Sequence, residues 1–298
     1  MLQYNRRISL IVSTPGGEGL DLSGLRITFE IIKSDVLQPN PATITVYNLA
    51  QDVVARIRRE FTRLTLSAGY DDNFGLIFTG NIRQFQAGKM DNNTDTFLTI
   101  ACGDGDQAYN FGVVNRSLAA GATAQDQIAA ATAALGQHGV TAGANTAPAG
   151  QPLPRGKALF GMAAELLGQA AGNAGAVASI QDGQVQVTSP NTVLPDAPVL
   201  LSPETGLLGW PEQNPIGLKF RCLLNPRLRV HARVYIGREN IREAAIQSVY
   251  NQFLPKISSD GMYKMVLIRF VGDTRGNDWV AEVDALNMDV AAGAGAYG

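Results

Sequence analysis

Apolar residues recur at every second position in two long stretches of this 298-residue chain, and between the stretches the alternation stops. In the first stretch Leu25, Ile27, Phe29 and Ile31 alternate with Arg26, Thr28 and Glu30. Successive side chains of an extended backbone point to opposite faces, so such a run predicts a strand with one buried face. Ile8, Leu10 and Val12 repeat the pattern, as do Ile44 and Val46, then Leu64, Leu66 and Ala68, then Leu76, Phe78 and Ile82, then Leu98, Ile100 and Cys102. Turn-forming residues separate the runs at Pro15-Gly16-Gly17, Pro39-Asn40-Pro41, Asp71-Asp72-Asn73 and Asp91-Asn92-Asn93. One helix is expected among them, capped by Asp52 and apolar along Val53, Val54 and Ile57. Short strands at this spacing predict a sandwich or barrel.

From about residue 190 the alternation returns. Ile216, Leu218, Phe220, Cys222 and Leu224 share one face. Leu228, Val230, Ala232, Val234 and Ile236 share another, which places Arg229, His231, Arg233 and Tyr235 on the opposite side. Burying that polar side without partners is costly, so it is expected to face solvent, a subunit interface or a lumen. A last hairpin is expected from Tyr263–Val271 to Trp279–Leu286, with a helix over 238–252 and a flexible C-terminal tail, AAGAGAYG.

The middle is different in kind. Residues 118–180 contain 21 alanines among 63 residues and only four charges, Asp126, Arg155, Lys157 and Glu165. Two Ala-rich helices are expected near 124–135 and 157–171, followed by a hairpin turning at Asp182-Gly183 between Ala178, Ile180 and Val185, Val187. With few large side chains this unit buries little apolar area, and it is expected to be the least stable part.

Chemistry-bearing patterns are sparse. Two cysteines 120 residues apart, Cys102 and Cys222, and two histidines, His138 and His231, are too few for a disulfide scaffold or a multi-histidine metal centre. Both cysteines lie in alternating runs and read as small core residues. Gly103-Asp104-Gly105-Asp106 lacks the further oxygen ligands of a calcium loop and reads as a strand end with a helix cap at Asp104 or Asp106. Gly16-Gly17-Glu18-Gly19 lacks the lysine of a phosphate loop. Glu282 and Asp284 alternate with Ala281 and Val283, as on an exposed strand face. No nucleophile elbow or zinc-protease helix is present. A formal net charge of −2 gives no global attraction to nucleic acid or anionic membrane. No apolar stretch approaches the roughly 18 residues of a membrane span. Arginine outnumbers lysine, 18 to 6, which suits bidentate pairing at protein interfaces or reflects base composition.

Several short motifs occur together in order. Ile-Thr-Val-Tyr-Asn-Leu ends at Asn48-Leu49; Leu-Ser-Ala-Gly-Tyr ends at Gly69-Tyr70; Ile-Phe-Thr-Gly-Asn-Ile holds Phe78 and Gly80. Leu153-Pro154-Arg155-Gly156 precedes Phe160-Gly161 and Glu165-Leu166-Leu167. Then come Ser202-Pro203-Glu204-Thr205-Gly206 with Gly209-Trp210-Pro211, Leu224-Asn225-Pro226, and Gly272-Asp273 ahead of Trp279. In this order and spacing, over roughly 25–285, they resemble the baseplate hub proteins of contractile-tailed phages. One departure is Phe270, where the resemblance leads one to expect histidine.

The resemblance implies a mainly β fold with an α+β insertion. Two tube-type β-barrels, 1–115 and 191–298, would flank a small Ala-rich α/β domain, 116–190. It implies a homotrimer forming a pseudo-sixfold ring, with a central spike protein and a tail tube or tube-initiator protein as partners. The tape-measure and baseplate wedge proteins would be further partners. DNA would be met only in transit through the lumen, without cofactor, catalytic residue, metal or membrane insertion. The location implied is the virion tail baseplate, assembled in the host cytoplasm. Asn48, Leu49, Gly69, Tyr70, Phe78, Gly80, Glu204, Gly206, Trp210, Asn225, Pro226, Gly272, Asp273 and Trp279 would serve structure and assembly. Gly69 and Gly80 are expected to reject a bulky β-branched residue. Two alternatives stay open. A type VI secretion or pyocin-like device would share the fold, and its spikes are expected to carry a fused needle that this chain lacks. A tail-associated cell-wall hydrolase would need an acid pair or metal triad, which the sequence does not display.

Overall fold

The alternating runs of the first stretch become strands, and one of them breaks its phase: a register shift between Leu66 facing Phe78 and Ser67 facing Leu76 turns Leu76 outward, 42% exposed, while Ile77 and Phe78 are both buried. The computed structural model describes residues 5–14, 17–91, 94–214, 217–241 and 258–288. In the first part these are β1 (Arg6–Ser13), β2 (Gly19–Asp21), β3 (Ile27–Ser34), β4 (Pro41–Tyr47), β5 (Arg63–Tyr70), β6 (Asn73–Lys89) and β7 (Thr96–Gly103), with helix α1 (Gln51–Glu60) between β4 and β5. The middle holds α2 (Asp106–Phe111), β8 (Val113–Leu118), α3 (Ala124–Gly136), β9 (Thr141–Asn145), β10 (Lys157–Met162), α4 (Ala163–Asn173), β11 (Val177–Gln181) and β12 (Gln184–Thr188). The last part holds β13 (Val199–Leu201), β14 (Leu207–Gln213), β15 (Leu218–Leu223), β16 (Arg233–Ile236), β17 (Met262–Asp273) and β18 (Trp279–Asn287). Strand makes up 48% of the chain and helix 18%, so the fold is mainly β.

The strand order repeats. The first part runs β3-β4-β7-β6-β5-β1, and the last part runs β14-β15-β18-β17-β16-β13. Taken in chain order, the two modules have the same neighbours, except that β1 also carries the short β2, which has no counterpart among the described residues of the last module. They differ in that β1 joins β5 antiparallel whereas β13 joins β16 parallel. The registers coincide as well. A bulge interrupts β6 between Ile82 and Gln84 and β17 between Met265 and Leu267. With these bulges aligned, Lys89 facing Thr96 corresponds to Gly272 facing Trp279, and Cys102 corresponds to Ala285, without a gap. Backbone bonds match too: Ile82 N donates to the Thr62 carbonyl at 2.8 Å, and Met265 N to the Ala232 carbonyl at 3.1 Å. Burial follows the same phase, since Leu98, Ile100 and Cys102 are as deeply buried as Ala281, Val283 and Ala285.

The two modules share one sheet. β17 carries β18 along one edge. Its other edge carries β16 at 262–264 and then β3 of the first module from Leu267 facing Ser34 to Asp273 facing Thr28. A single hydrophobic cluster accordingly runs from Leu10 to Ala285 through both modules. Alternation alone does not disclose this joint.

The middle unit has its own cluster, from Ala108 to Val187, so its core begins ahead of residue 116. α3 starts at a capping box, in which Thr123 N donates to Asp126 Oδ2 at 2.7 Å. β11 and β12 turn at Asp182 (φ 51°) and Gly183 (φ 75°), the two left-handed residues that a two-residue hairpin of this type requires. This turn plugs into the first module. Lys33 Nζ reaches both carboxylate oxygens of Asp182 at 2.7 Å, and Asp104 accepts from the backbone N of Asp182 and of Gly183. Asn40 Nδ2 donates to the Ile180 carbonyl and to Gln181 Oε1, both at 3.0 Å.

Five local expectations are corrected. Asp104 caps no helix: it is buried, Gly105 occupies the cap of α2, and Asp106 pairs with Arg83. Asp52 lies in the first turn of α1, whose cap residue is Ala50. Residues 157–162 form β10, so the second Ala-rich helix starts at Ala163; pairing with β8 overrides the helical propensity there. Only Arg233–Ile236 of the run 228–236 is strand. Finally, His231 is buried, with φ 68° and no partner for either ring nitrogen among the described residues. Burial, with Lys264 nearby, pushes its pKa down to about 3, so it sits neutral in the core. The turns at Pro15-Gly16 and Asn92-Asn93, Ile216, residues 242–252 of the expected helix, and the C-terminal tail lie outside the described residues.

Candidate assembly interface

Half of the fourteen motif residues lie at the seam between the modules. Trp279, at the start of β18, is 1% exposed and stacks edge-on against Phe29 of β3 at 5.5 Å. Its indole N–H donates to the Gly69 carbonyl of β5 at 3.3 Å, and the Arg6 guanidinium lies 5.5 Å from the ring. Gly69 has φ 153°, and a Cβ there would overlap the Asn73 carbonyl, so the tight β5–β6 turn requires glycine. Gly272 gives room for the Phe29 ring in the same way. Tyr70 is buried beside them, and burial raises its pKa.

Further clasps span the seam. Asn225 Oδ1 accepts from Asn73 Nδ2 at 3.0 Å and from Arg227 N at 2.9 Å, and the Pro226 ring packs 3.2 Å from the position of a Cβ on Gly75. Asp273 Oδ2 accepts from Arg26 Nη2 at 2.8 Å, and that hydrogen bond holds the Asp273 carboxyl below its usual pKa. Arg6 Nη1 donates to the Gly276 carbonyl at 2.6 Å. Arg269 bridges Glu30 at 2.8 Å and Glu282 at 3.0 Å. Arginine thus works as an interface residue here within one chain, where its planar fork meets carboxylates on both sides.

The other motif residues lie elsewhere. Asn48 adopts φ 58°; its Nδ2 donates to Asp95 at 2.9 Å and its Oδ1 accepts from Thr96 N at 3.0 Å, which pins the start of β7. Leu49 packs on the main core, and Phe78 is fully buried within it. A Cβ on Gly80 would stand 2.6 Å from Phe78 Cζ and 2.7 Å from the Gly103 carbonyl. Gly80→Val is therefore expected to cost about 1–3 kcal/mol, the usual range for overpacking a core. A wild-type urea midpoint would refute this. Glu204 accepts from Ser202 Oγ at 2.6 Å, a bond that lowers its pKa, and Gly206 (φ 105°) ends that short turn. Trp210 on β14 is 65% exposed and contributes nothing to the core.

The site residues missed by sequence reading are Lys33, Asp104 and Asn40, which dock the middle unit. A lysine in an alternating run gives no sign that it points into a joint. No group of three or more His, Cys, Asp or Glu side chains placed to hold a metal occurs among the described residues. Cys102 and Cys222 are buried, and burial pushes both thiols up to about 12. Neither is expected to react with a thiol reagent in the folded chain at pH 8, while both react in denaturant. Rapid native-state labelling of either would contradict this.

No family model and no curated protein matches the sequence. Solved structures do match the fold. A 43 kDa tail protein of prophage MuSo2 from Shewanella oneidensis superposes with TM-score 0.60 at 11% identity, over 96% of this chain and 98% of that one. A tail protein from Neisseria meningitidis MC58 gives 0.58 at 12% identity, over 95% and 96%. An E. coli component of the type VI secretion system gives 0.53 at 10% identity, over 95% and 77%. The chain therefore has a phage-tail-type fold, a fold also found in a type VI secretion component.

Proposed function

We propose that the protein is the structural hub of a phage tail baseplate, a homotrimer whose six β modules form a pseudo-sixfold ring. One observation carries the reading: a module with one strand order and one register occurs twice in the chain, joined edge to edge. Three such chains present threefold symmetry to a central spike and near-sixfold symmetry to a tail tube. Unpaired strand edges attract further strands, and a closed ring removes them. The module boundaries near 115 and 190, a location in the virion baseplate and assembly in the host cytoplasm belong to the same proposal. So do contacts with tube or tube-initiator, tape-measure and wedge proteins. DNA passes through the lumen without being held, in keeping with a net charge of −2.

The fold match to a type VI secretion component favours a second reading, a hub in a related contractile device. Native mass spectrometry of the purified chain, alone and with its spike, tests the hub. Three times 31.7 kDa is expected. A monomer under both conditions overturns the proposal, and so does cell-wall turnover that is lost on substituting one carboxylate.

A further inference from the structure

Among the described residues, the joint inside the chain has two counterpart strand edges with no strand beside them. Within the chain, β17 extends past β16, and the freed edge is taken by β3. In the first module β6 likewise extends past β5, whose pairing ends at Asn81. Beyond the bond from Ile82 N, the edge of β6 from Arg83 to Lys89 has no strand beside it among the described residues. At the other end β14, the counterpart of β3, pairs with β15 and has no strand on its outer edge among the described residues. One vacancy has the form of an acceptor and the other of a donor.

We propose that β14 of one copy pairs antiparallel with residues 83–89 of β6 in a second copy, repeating the β3–β17 joint between chains. The aligned bulges fix the register. Phe270 faces Ile31 inside the chain, so Ala87 faces Gln213 of the neighbour. Val271 faces Glu30, so Gly88 faces Glu212. Asp273 faces Thr28, so Met90 faces Leu208. The side chains suit this arrangement. Gln86, the counterpart of Arg269, lies diagonal to Glu212 on the same face, as Arg269 lies to Glu30 inside the chain. Exposed Met90 meets exposed Leu208.

β14 departs from β3 at one place. Gly209, Trp210 and Pro211 stand opposite Phe220, where β3 has Phe29 alone. This bulge divides the paired edge into two short segments and leaves Trp210 65% exposed. A donor at one end and an acceptor at the other make the contact heterologous, so it must close into a ring or grow without end. The strand pairing stands on the repeat. Closure at three copies rests on the function proposed above.

The test is a double variant, Ala87→Cys with Gln213→Cys. Directly facing residues of an antiparallel pair are about 4.5–5.5 Å apart at Cα, within disulfide reach. Under mild oxidation, a reducible species of three chains is expected, and the single variants should give none. A wild-type trimer without the crosslink overturns the strand pairing and leaves the trimer standing. Crosslinked ladders beyond three chains support the pairing and overturn the hub. A wild-type monomer that does not crosslink overturns both. A charge test checks the result without new thiols: Gln86→Glu, which sets a second carboxylate beside Glu212, should raise the dissociation constant up to about fivefold, and adding Glu212→Lys should restore it. If Gln86→Glu leaves assembly unchanged, β14 is not at the interface.

Discussion

Trp279→Ala is expected to destabilise the protein by about 3–5 kcal/mol, the usual range for removing a buried tryptophan. Three losses add up. The indole is 1% exposed, so its deletion leaves a cavity between β3 and β5. The Gly69 carbonyl loses its donor in a buried setting. Phe29 loses its edge-on neighbour, and Arg6 loses the ring face it lies over. Trp279→Phe retains a ring but not the N–H, and should cost about 1–2 kcal/mol less. Urea unfolding followed by far-UV circular dichroism measures both. Because this residue sits between the modules, the Ala variant should also lose cooperativity, with one module unfolding ahead of the other. A change below about 1 kcal/mol would show that the seam contributes little.

The second large effect concerns Asp104 and pH. Burial, reinforced by the nearby Asp182 charge, raises the Asp104 pKa from 3.8 to about 7, against the attraction of Lys33. Between those values the folded state holds a proton that the unfolded state has released, so acidification through this window stabilises the fold. His231 acts in the opposite sense. Its folded pKa of about 3 lies below the unfolded 6.5, so acidification from 6.5 downward destabilises. The two slopes are each about 1.4 kcal/mol per pH unit and largely cancel in the wild-type chain. Asp104→Asn removes one of them. Its stability should fall by about 2–3 kcal/mol relative to wild type between pH 6.5 and 4.5. The urea midpoint at three pH values decides this, and parallel curves for the two proteins would refute it. Lys33→Met tests the same dock at constant pH: it strands the Asp182 carboxylate and should cost about 3 kcal/mol. That loss should appear as early unfolding of the Ala-rich unit, read by proteolysis.

The phase of most strands in the first module is set locally; in β6 the bulge against β5 turns Leu76 outward. Leu25 to Ile31 or Leu98 to Cys102 can bury one face only by extending, so alternation specifies both the strand and its inner side. The Asp182-Gly183 hairpin is equally local, because it needs only two residues that tolerate positive φ. The middle strand β10 was less legible: Lys157–Met162 is helix-compatible, and only pairing with β8 settles it.

His231 and Asp104 show where sequence reading stops. Alternation places a side chain on a face, but it does not say what covers that face. His231 lies in a turn that other strands enclose, and Asp104 is buried because a hairpin some eighty residues later docks on it. Which strands pair is decided in the same way. β3 and β17 find each other across most of the chain, and the N–H and C=O groups that join them are the same for every residue type. The sequence therefore determined the phase of most strands, turn positions and the mainly β class by itself. The shared sheet and the dock of the Ala-rich unit were decided only in the tertiary structure, because backbone hydrogen bonds do not distinguish one strand from another and only the fit of buried faces does.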